Sequence, residues 1–461
     1  MSAAVPTRLW PEGMGAAEVT ALLQARQVRY ALASFVDLHG VCKAKAVPIA
    51  HLEAMLAGSE LFTGAALDGV PQDVSDDEVA ALPDPASATV LPWRSDTVWL
   101  ASNLQLNGAP FEACSRSILC RVREQAAAMG FRFQLGVETE FFVLRRGADG
   151  GLEPASASDS LEKPCYDLRG LLDNLGWLDE LVQAMNDLGW GVYSFDHEDG
   201  NGQFETDFGY ADALVTADRV SFFRLMAREI CRRHGLLASF MPKPFADRTG
   251  SGAHFNMSLA DRTTGVNLFE PEAGEVAGLG VSSLARSFIA GILRHAPAIC
   301  AVIAPTVNSY KRLVVQGSMS GFTWAPVFIC YGNNNRTNML RIPGAGGRVE
   351  CRAADSACNP YLASALLLAA GLEGIREGLD PGPANLENAY RLSPEQRRER
   401  GLTTLPRNLG EAVEALAADP LPRQVFGEAM AEAFISFKRQ EWNDYHAEVS
   451  AWERDRYLEL F

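Results

Sequence analysis

Residues 131–146, FRFQLGVETEFFVLRR, form a long apolar and aromatic run, and two acids, Glu138 and Glu140, stand inside it two positions apart. On a strand, side chains at i and i+2 share a face, so both carboxylates point the same way. A solvated sheet edge would be the ordinary home for such a pair. The aromatic flanks argue against that, because two adjacent acids buried without a partner repel each other and lose hydration. A fold built on this run must bring cations to it, either metal ions or basic side chains.

More groups of the same kind follow along the chain: Glu198 and Glu205 in HEDGNGQFE, His254 in GSGAHFNMS and Glu350 in GGRVECRAAD. Carboxylates gathered in one place imply a polynuclear site for divalent cations. Oxygen donors with a single imidazole favour Mg²⁺ or Mn²⁺ over a thiolate-bound zinc. Arg312, Arg336, Arg341, Arg348 and Arg352 lie in segments rich in Gly, Asn and apolar residues, and a guanidinium fork suits carboxylate and phosphate groups. Carboxylates for metal together with arginines for anions describe phosphoryl transfer from a nucleotide. There is no G-x-x-x-x-G-K-[ST] loop, and the glycines of GSGAH precede a strand-like segment, so nucleotide binding needs another architecture.

The 461 residues exceed a usual single core, which predicts two domains. One would be a small strand-rich domain over 1–115, the other a larger one over 116–461 in which long helices cover a sheet carrying the acid and histidine motifs. Periodicity predicts helices over 17–26, 117–129, 178–188, 213–234, 282–303, 360–377 and 428–459. Ser393-Pro394-Glu395-Gln396 reads as a capping box. A net charge of −16 excludes a general nucleic-acid or anionic-membrane surface. No apolar segment reaches membrane-spanning length and the first residues lack a signal-peptide core, so a cytoplasmic protein is expected. Nine cysteines without a C-x-x-C pair read as reduced and mostly buried thiols.

These motifs in this order resemble the glutamine synthetases, most of all the branch holding type III-like enzymes and γ-glutamylmethylamide synthetase. The likeness runs from FVDLHGVCKAKAVPI through KPCYDLRG, HEDGNGQFE, MPKPFADRTGSGAH, APTVNSYKRL, WAPVFICYGNNNR and CNPYLA to WERDRYLELF, nearly the whole chain. The resemblance implies an α+β fold, an N-terminal β-grasp domain followed by a catalytic domain with a curved antiparallel sheet covered by helices. It also implies a homo-oligomer, a dodecamer of two stacked hexamers with active sites between subunits. By resemblance, Glu140, Glu198 and Glu205 are ligands of one metal, and Glu138, His254 and Glu350 surround a second, with Glu205 near both; two or three Mg²⁺ or Mn²⁺ ions would share the site. Arg312 and Arg352 match positions that hold glutamate, Gly250 lies in the loop whose backbone contacts it, and Arg336, Arg341 and Arg348 match phosphate-facing arginines. Asn256 and Ser258 fall on the nucleotide side, and Arg312, Arg336 and Arg341 are the candidate catalytic groups. The implied reaction consumes ATP, L-glutamate and an amine.

The chain departs from the ammonia-using members at two places. Their F-D-G-S and Y-E-A-P motifs carry acids that bind ammonium, whereas this chain has Phe62-Thr63-Gly64-Ala65 and Thr323-Trp324-Ala325-Pro326. Thr63 and Trp324 therefore stand where negative charges are expected. A carbon-bearing amine gains from an aromatic face, worth roughly 0.5 to 2 kcal/mol, which points to an organic amine, with packing of the loop as the other reading of Trp324. Methylamine or another small alkylamine leads, and ammonia is the alternative. No general base can be named, since turn or surface roles suit Asp68 and Asp196 better. Tyr390 lies where some bacterial enzymes are adenylylated, but a tyrosine packed ahead of a capped helix suits it better.

Overall fold

The computed structural model describes residues 14–271, 279–315 and 324–461. The run Phe131–Arg146 is one sixteen-residue strand, and the larger sheet is assembled around it. Along one edge it pairs antiparallel with Ala253–Asp261 over nine residues, with His254 opposite Glu138. Along the other edge it pairs with Gln203–Phe208, which sets Glu205 opposite Glu140. The order continues outward through Val192–His197 on the second side, and through Val349–Cys351, Asn338–Ile342, Phe328–Asn333 and Thr403–Thr404 on the first. The pairing is antiparallel except between Phe328–Asn333 and Asn338–Ile342, which run parallel; the all-antiparallel expectation holds for the strands carrying the acids.

A second, seven-stranded sheet is built from residues 30–110. Its centre joins Tyr30–Val36 in parallel to Arg94–Leu106, and Ala16–Ala25 is the first described helix. The short helix Leu52–Leu56 was not anticipated from sequence. The two sheets are tied together by polar contacts. Ser115 donates to the Val36 carbonyl, and Arg116 reaches both Asp84 and Asp218 at 2.8 and 2.9 Å. Asn359 caps the helix Pro360–Glu377 by accepting from the Tyr361 and Leu362 amides, and its own amide donates to the Asp37 carbonyl.

Two of the long helices foreseen in sequence are broken. The 282–303 segment divides into Ser283–Arg294 and Ala296–Ile303, bent by 79°. Pro297 explains it, since its ring and missing N–H prevent continuation from the preceding turn, and His295 is fixed at the bend by Asp419 and Glu373 at 2.7 and 2.8 Å. The 428–459 segment stops at Ala447 and restarts at Ala451, where Ser450 and Glu453 form a capping box. The capping box at Ser393 forms as expected. Among the described residues no single helix is long and apolar enough to cross a membrane, and all nine cysteines are free.

Ser283–Arg294 packs on the buried helix Pro360–Glu377 so closely that a Cβ at Gly291 would overlap the Ala370 carbonyl oxygen. Gly291→Ala should therefore cost about 1–3 kcal/mol of stability, as overpacking does. Urea denaturation would read this as a lower midpoint with an unchanged slope.

Candidate active site

Strand register gathers the acids. From one edge of the site to the other, Asp196 faces Glu205, Glu205 faces Glu140, Glu138 faces His254, Asn256 faces Glu350, and Glu350 faces Arg341. Glu198 lies just past Val192–His197, where its carboxylate accepts from the Asp199 amide. Donor atoms of Glu138, His254 and Glu350 lie within 4.8 Å of one another, as do those of Glu140, Glu205 and His254. The residue common to both groups is His254, while Glu205 belongs only to the group with Glu140. His254 Nδ1 is 3.3 Å from Glu138 and 3.6 Å from Glu350, and its Nε2 is 3.5 Å from Glu140.

The two groups differ in charge balance. Glu350 is completely buried, yet Arg352, His254 and Arg341 outweigh the burial that would raise its pKa and hold it down at about 2. Arg352 and Arg341 meet it at 2.5 and 2.7 Å. For Glu138 too, burial acts upward, but hydrogen bonding and charge from His254 prevail and lower its pKa. At Glu198 and Glu205 neighbouring like charges add to the burial instead. Burial, then Glu140 and Asp196, push Glu198 up to about 8. Burial, then Glu198 and Glu140, drive Glu205 well above the carboxylate range. Asp207, pushed up to about 7 chiefly by burial and Glu138, has a buried oxygen, Oδ1, without a hydrogen-bond partner. Asp196, half-buried and raised to about 6 by burial and then Glu140, belongs to this acidic side rather than to the surface. Oxygen donors whose mutual repulsion is unrelieved, with one imidazole at hand, fit divalent cations of the hard class. The demand is strongest at Glu198 and Glu205.

Two cavities meet at Glu138. One, of about 440 Å³, is lined by the acids, Gly250, Arg312, Arg336, Arg341, Arg352 and Trp324. The other, of about 740 Å³, is lined by Glu138, Asn256, Ser258 and Arg348. Sequence reasoning placed Arg336 and Arg341 with the last three; the structure puts them in the first cavity. Asn256 joins the two sides, donating to Glu138 and accepting from Arg348, both at 2.9 Å. Arg312 is buried and donates to the carbonyls of Ala353 and Arg352. Gly250 sits where a Cβ would press on the Pro242 carbonyl and the Arg312 side chain. Thr63 is the exception: it is exposed, hydrogen-bonds Glu78, and does not line this chain's own cavity.

Several lining groups were missed in sequence. Gln203 reaches Glu140, the Gly250 carbonyl and Ser251. Asp199 accepts from the Trp324 indole at 3.3 Å. Tyr193 and Tyr210, both largely exposed, flank the larger cavity. Gln203 and Asp199 belong to the same HEDGNGQFE motif as two of the acids, which was the available signal. Tyr390 packs as expected, with its ring by Phe328 and its hydroxyl donating to the Ala325 carbonyl at 2.6 Å.

Residues 112–457 match the family model described as glutamine synthetase, catalytic domain. The chain belongs to the glutamine synthetase family. Among curated relatives it is 42% identical over 449 residues to a glutamate–methylamine ligase of Methyloversatilis universalis, covering 97% of this chain and all of that one. A glutamine synthetase of Rhizobium leguminosarum bv. phaseoli is 39% identical, over 96% and 99% of the two chains. A solved structure of GmaS in complex with ADP superposes with a TM-score of 0.89 at 42% identity, covering 95% of this chain and 99% of the other. Glutamine synthetases as a family use ATP and divalent metals, and the acidic groups described above lie within the span that matches the family's catalytic domain.

Proposed function

We propose that this chain is an ATP-dependent ligase that joins a small organic amine, methylamine or a similar alkylamine, to the γ-carboxylate of L-glutamate through a γ-glutamyl phosphate. The observation that carries this reading is the meeting of two cavities at Glu138, one rich in arginine and acid, the other holding Asn256, Ser258 and Arg348. The larger cavity takes ATP and the smaller takes glutamate and the amine. Glu140, Glu198 and Glu205 would hold one divalent ion, Glu138, His254 and Glu350 a second, and Mg²⁺ or Mn²⁺ suits both. Such ions polarise phosphoryl oxygens and neutralise developing charge.

The rest falls to the chain's own side chains. Arg352, whose buried Nε has no hydrogen-bond partner among the described residues, is held by Glu350 at the wall of the smaller cavity, where its guanidinium could meet a substrate carboxylate. Arg336 and Arg341 face the same space and offer positive charge where a transferred phosphoryl group accumulates negative charge. Arg348, oriented by Asn256, covers the nucleotide side. A carboxylate resists an amine until its oxygen becomes a leaving group, which phosphorylation provides. The Trp324 ring lines the amine end and favours a substituted cation over ammonium. Thr63 would complete that end from a neighbouring copy, in a dodecamer of two hexamers, with residues 1–115 and 116–461 as the two domains of each subunit.

Purified protein offered ATP, Mg²⁺, glutamate and a panel of amines should show kcat/KM higher for methylamine than for ammonium. Trp324→Glu combined with Thr63→Asp should move the preference towards ammonium by roughly tenfold, the scale of one cation–π contact. Unchanged selectivity in a direct competition would reject the role of Trp324, and a native preference for ammonium would make this an ordinary glutamine synthetase.

A further inference from the structure

The helix Ala213–Arg233 carries Arg224 and Arg228 one turn apart, and both line a third cavity, of about 790 Å³, on the far side of the active-site wall. Like charges at i and i+4 on a helix cost stability unless something compensates them. Among the described residues neither arginine has a carboxylate within ion-pair distance, and the buried Asp355 acts on Arg224 only from farther off. Arg224 is only 7% exposed, donates to the Cys358 carbonyl, and has a buried Nε with no partner. Arg228 lies over the Phe240 ring at 5.4 Å, and burial together with the Arg224 charge lowers its pKa. The other cation of the cavity, Lys438, is already matched by Glu441 at 2.9 Å. Two guanidinium groups without an ion-pair partner, Arg224 buried and Arg228 reaching solvent, give this chamber local positive charge inside a chain of net charge −16. Its remaining walls mix apolar residues, among them Val302, Met241 and Phe434, with polar ones such as Ser239 and Asn308.

We propose that this chamber binds a small organic oxyanion, whose carboxylate or phosphate lies between Arg224 and Arg228 and whose non-polar part rests on Val302 and Phe434, and that its occupancy is felt at the glycine loop of the active site. Guanidinium forks recognise both kinds of oxyanion in the same way. The coupling has a short physical route. Pro242 and Ser356 line the chamber. The Pro242 carbonyl accepts from the Ser251 amide at 2.8 Å, and the Ser356 hydroxyl donates to the carbonyls of Glu140 and Gly252 at 2.7 and 2.8 Å. A ligand that shifts either residue displaces Gly250 to Gly252, which border the substrate cavity.

The test is calorimetric titration of the intact protein with phenyl phosphate and, separately, phenylacetate, in the presence of saturating ADP, Mg²⁺ and L-glutamate so that the active site is not the receptor. One or both probes should bind the wild type, the ranking telling phosphate from carboxylate. Arg228→Ala, an exposed change that leaves the fold intact, and Arg224→Met should each weaken binding by about ten- to a hundredfold, the loss of one charge-assisted hydrogen bond. The bound probe should change the KM for glutamate in the wild type and not in Arg228→Ala. No binding to the wild type, or equal binding to both variants, overturns the site; binding with an unchanged KM overturns the coupling. Because probe binding and its dependence on the two arginines are read directly, this result stands apart from whether the chain is an amine ligase.

Discussion

Glu350→Ala should remove glutamate-dependent ATP turnover, by about a hundred- to a thousandfold or below detection, and destabilise the protein at the same time. The side chain is completely buried and anchors Arg341 at 2.7 Å and Arg352 at 2.5 Å, with His254 beside it. Without it Arg341 and Arg352 lose the carboxylate that holds them, and His254 keeps only Glu138 and Glu140 beside it. Breaking a buried pair by deleting one partner costs about 3–5 kcal/mol, and losing a preorganised charge at a reaction centre costs a factor of that catalytic size. Glu350→Gln separates the two effects: it fills the space and can still accept a hydrogen bond, so it should recover part of the stability and little of the activity. The pH dependence follows from the same contacts. With a folded pKa of about 2 against an ordinary 4.5, the native state binds fewer protons than the unfolded state between those values. The stabilisation from Glu350 is therefore complete above about pH 4.5 and fades as pH falls towards 2. Phosphate release and urea denaturation on both variants check this, and an Ala variant within a few-fold of the wild type in turnover would remove the cluster from the reaction centre.

How far the sequence foretold this arrangement depends on what each residue's neighbours could reveal. The strand carrying Glu138 and Glu140 was legible because its apolar flanks made a solvated pair of acids costly; five of the six metal candidates fall in two donor groups that share His254, and Glu198 lines the same cavity without joining either group. The helix breaks were less visible. Pro297 follows Arg294 and His295 inside a segment whose apolar periodicity resumes beyond them, and periodicity by itself reads through the break. The division of labour among the arginines was not legible at all. Arg341 and Arg348 are seven residues apart, but Arg341 lies on Asn338–Ile342 and turns to Glu350, while Arg348 follows Gly346 and Gly347, both with φ near +70°, and turns to Asn256. That reversal sends them into different cavities. Thr63 illustrates another limit, since whether it meets an amine depends on a second copy of the chain.

Stripping divalent ions should destabilise the protein more at higher pH, and adding Mg²⁺ or Mn²⁺ should restore it. Glu198 has a folded pKa of about 8 against an ordinary 4.5, raised first by burial and then by Glu140 and Asp196. Between those two values the metal-free native state retains a proton that the unfolded chain has released, so it binds more protons than the unfolded state and its stability falls as pH rises. Glu205, shifted the same way by burial and by Glu198, adds to the slope. A divalent ion replaces the retained proton and cancels the repulsion, and its stabilising effect grows with pH over the window from about 4.5 to about 8. Melting curves of chelated and metal-loaded protein across that window should therefore diverge, with a gap of several degrees at the alkaline end, on the order of a few kcal/mol. The double variant Glu198→Gln, Glu205→Gln sharpens the expectation. Removing buried like charges should make the chelated protein more stable than chelated wild type, by roughly 1–4 kcal/mol, while erasing most of the gain on adding metal and all measurable turnover. Wild-type melting curves that stay parallel with pH, or a double variant that still gains fully from Mg²⁺, would show that these carboxylates are not where the ions bind.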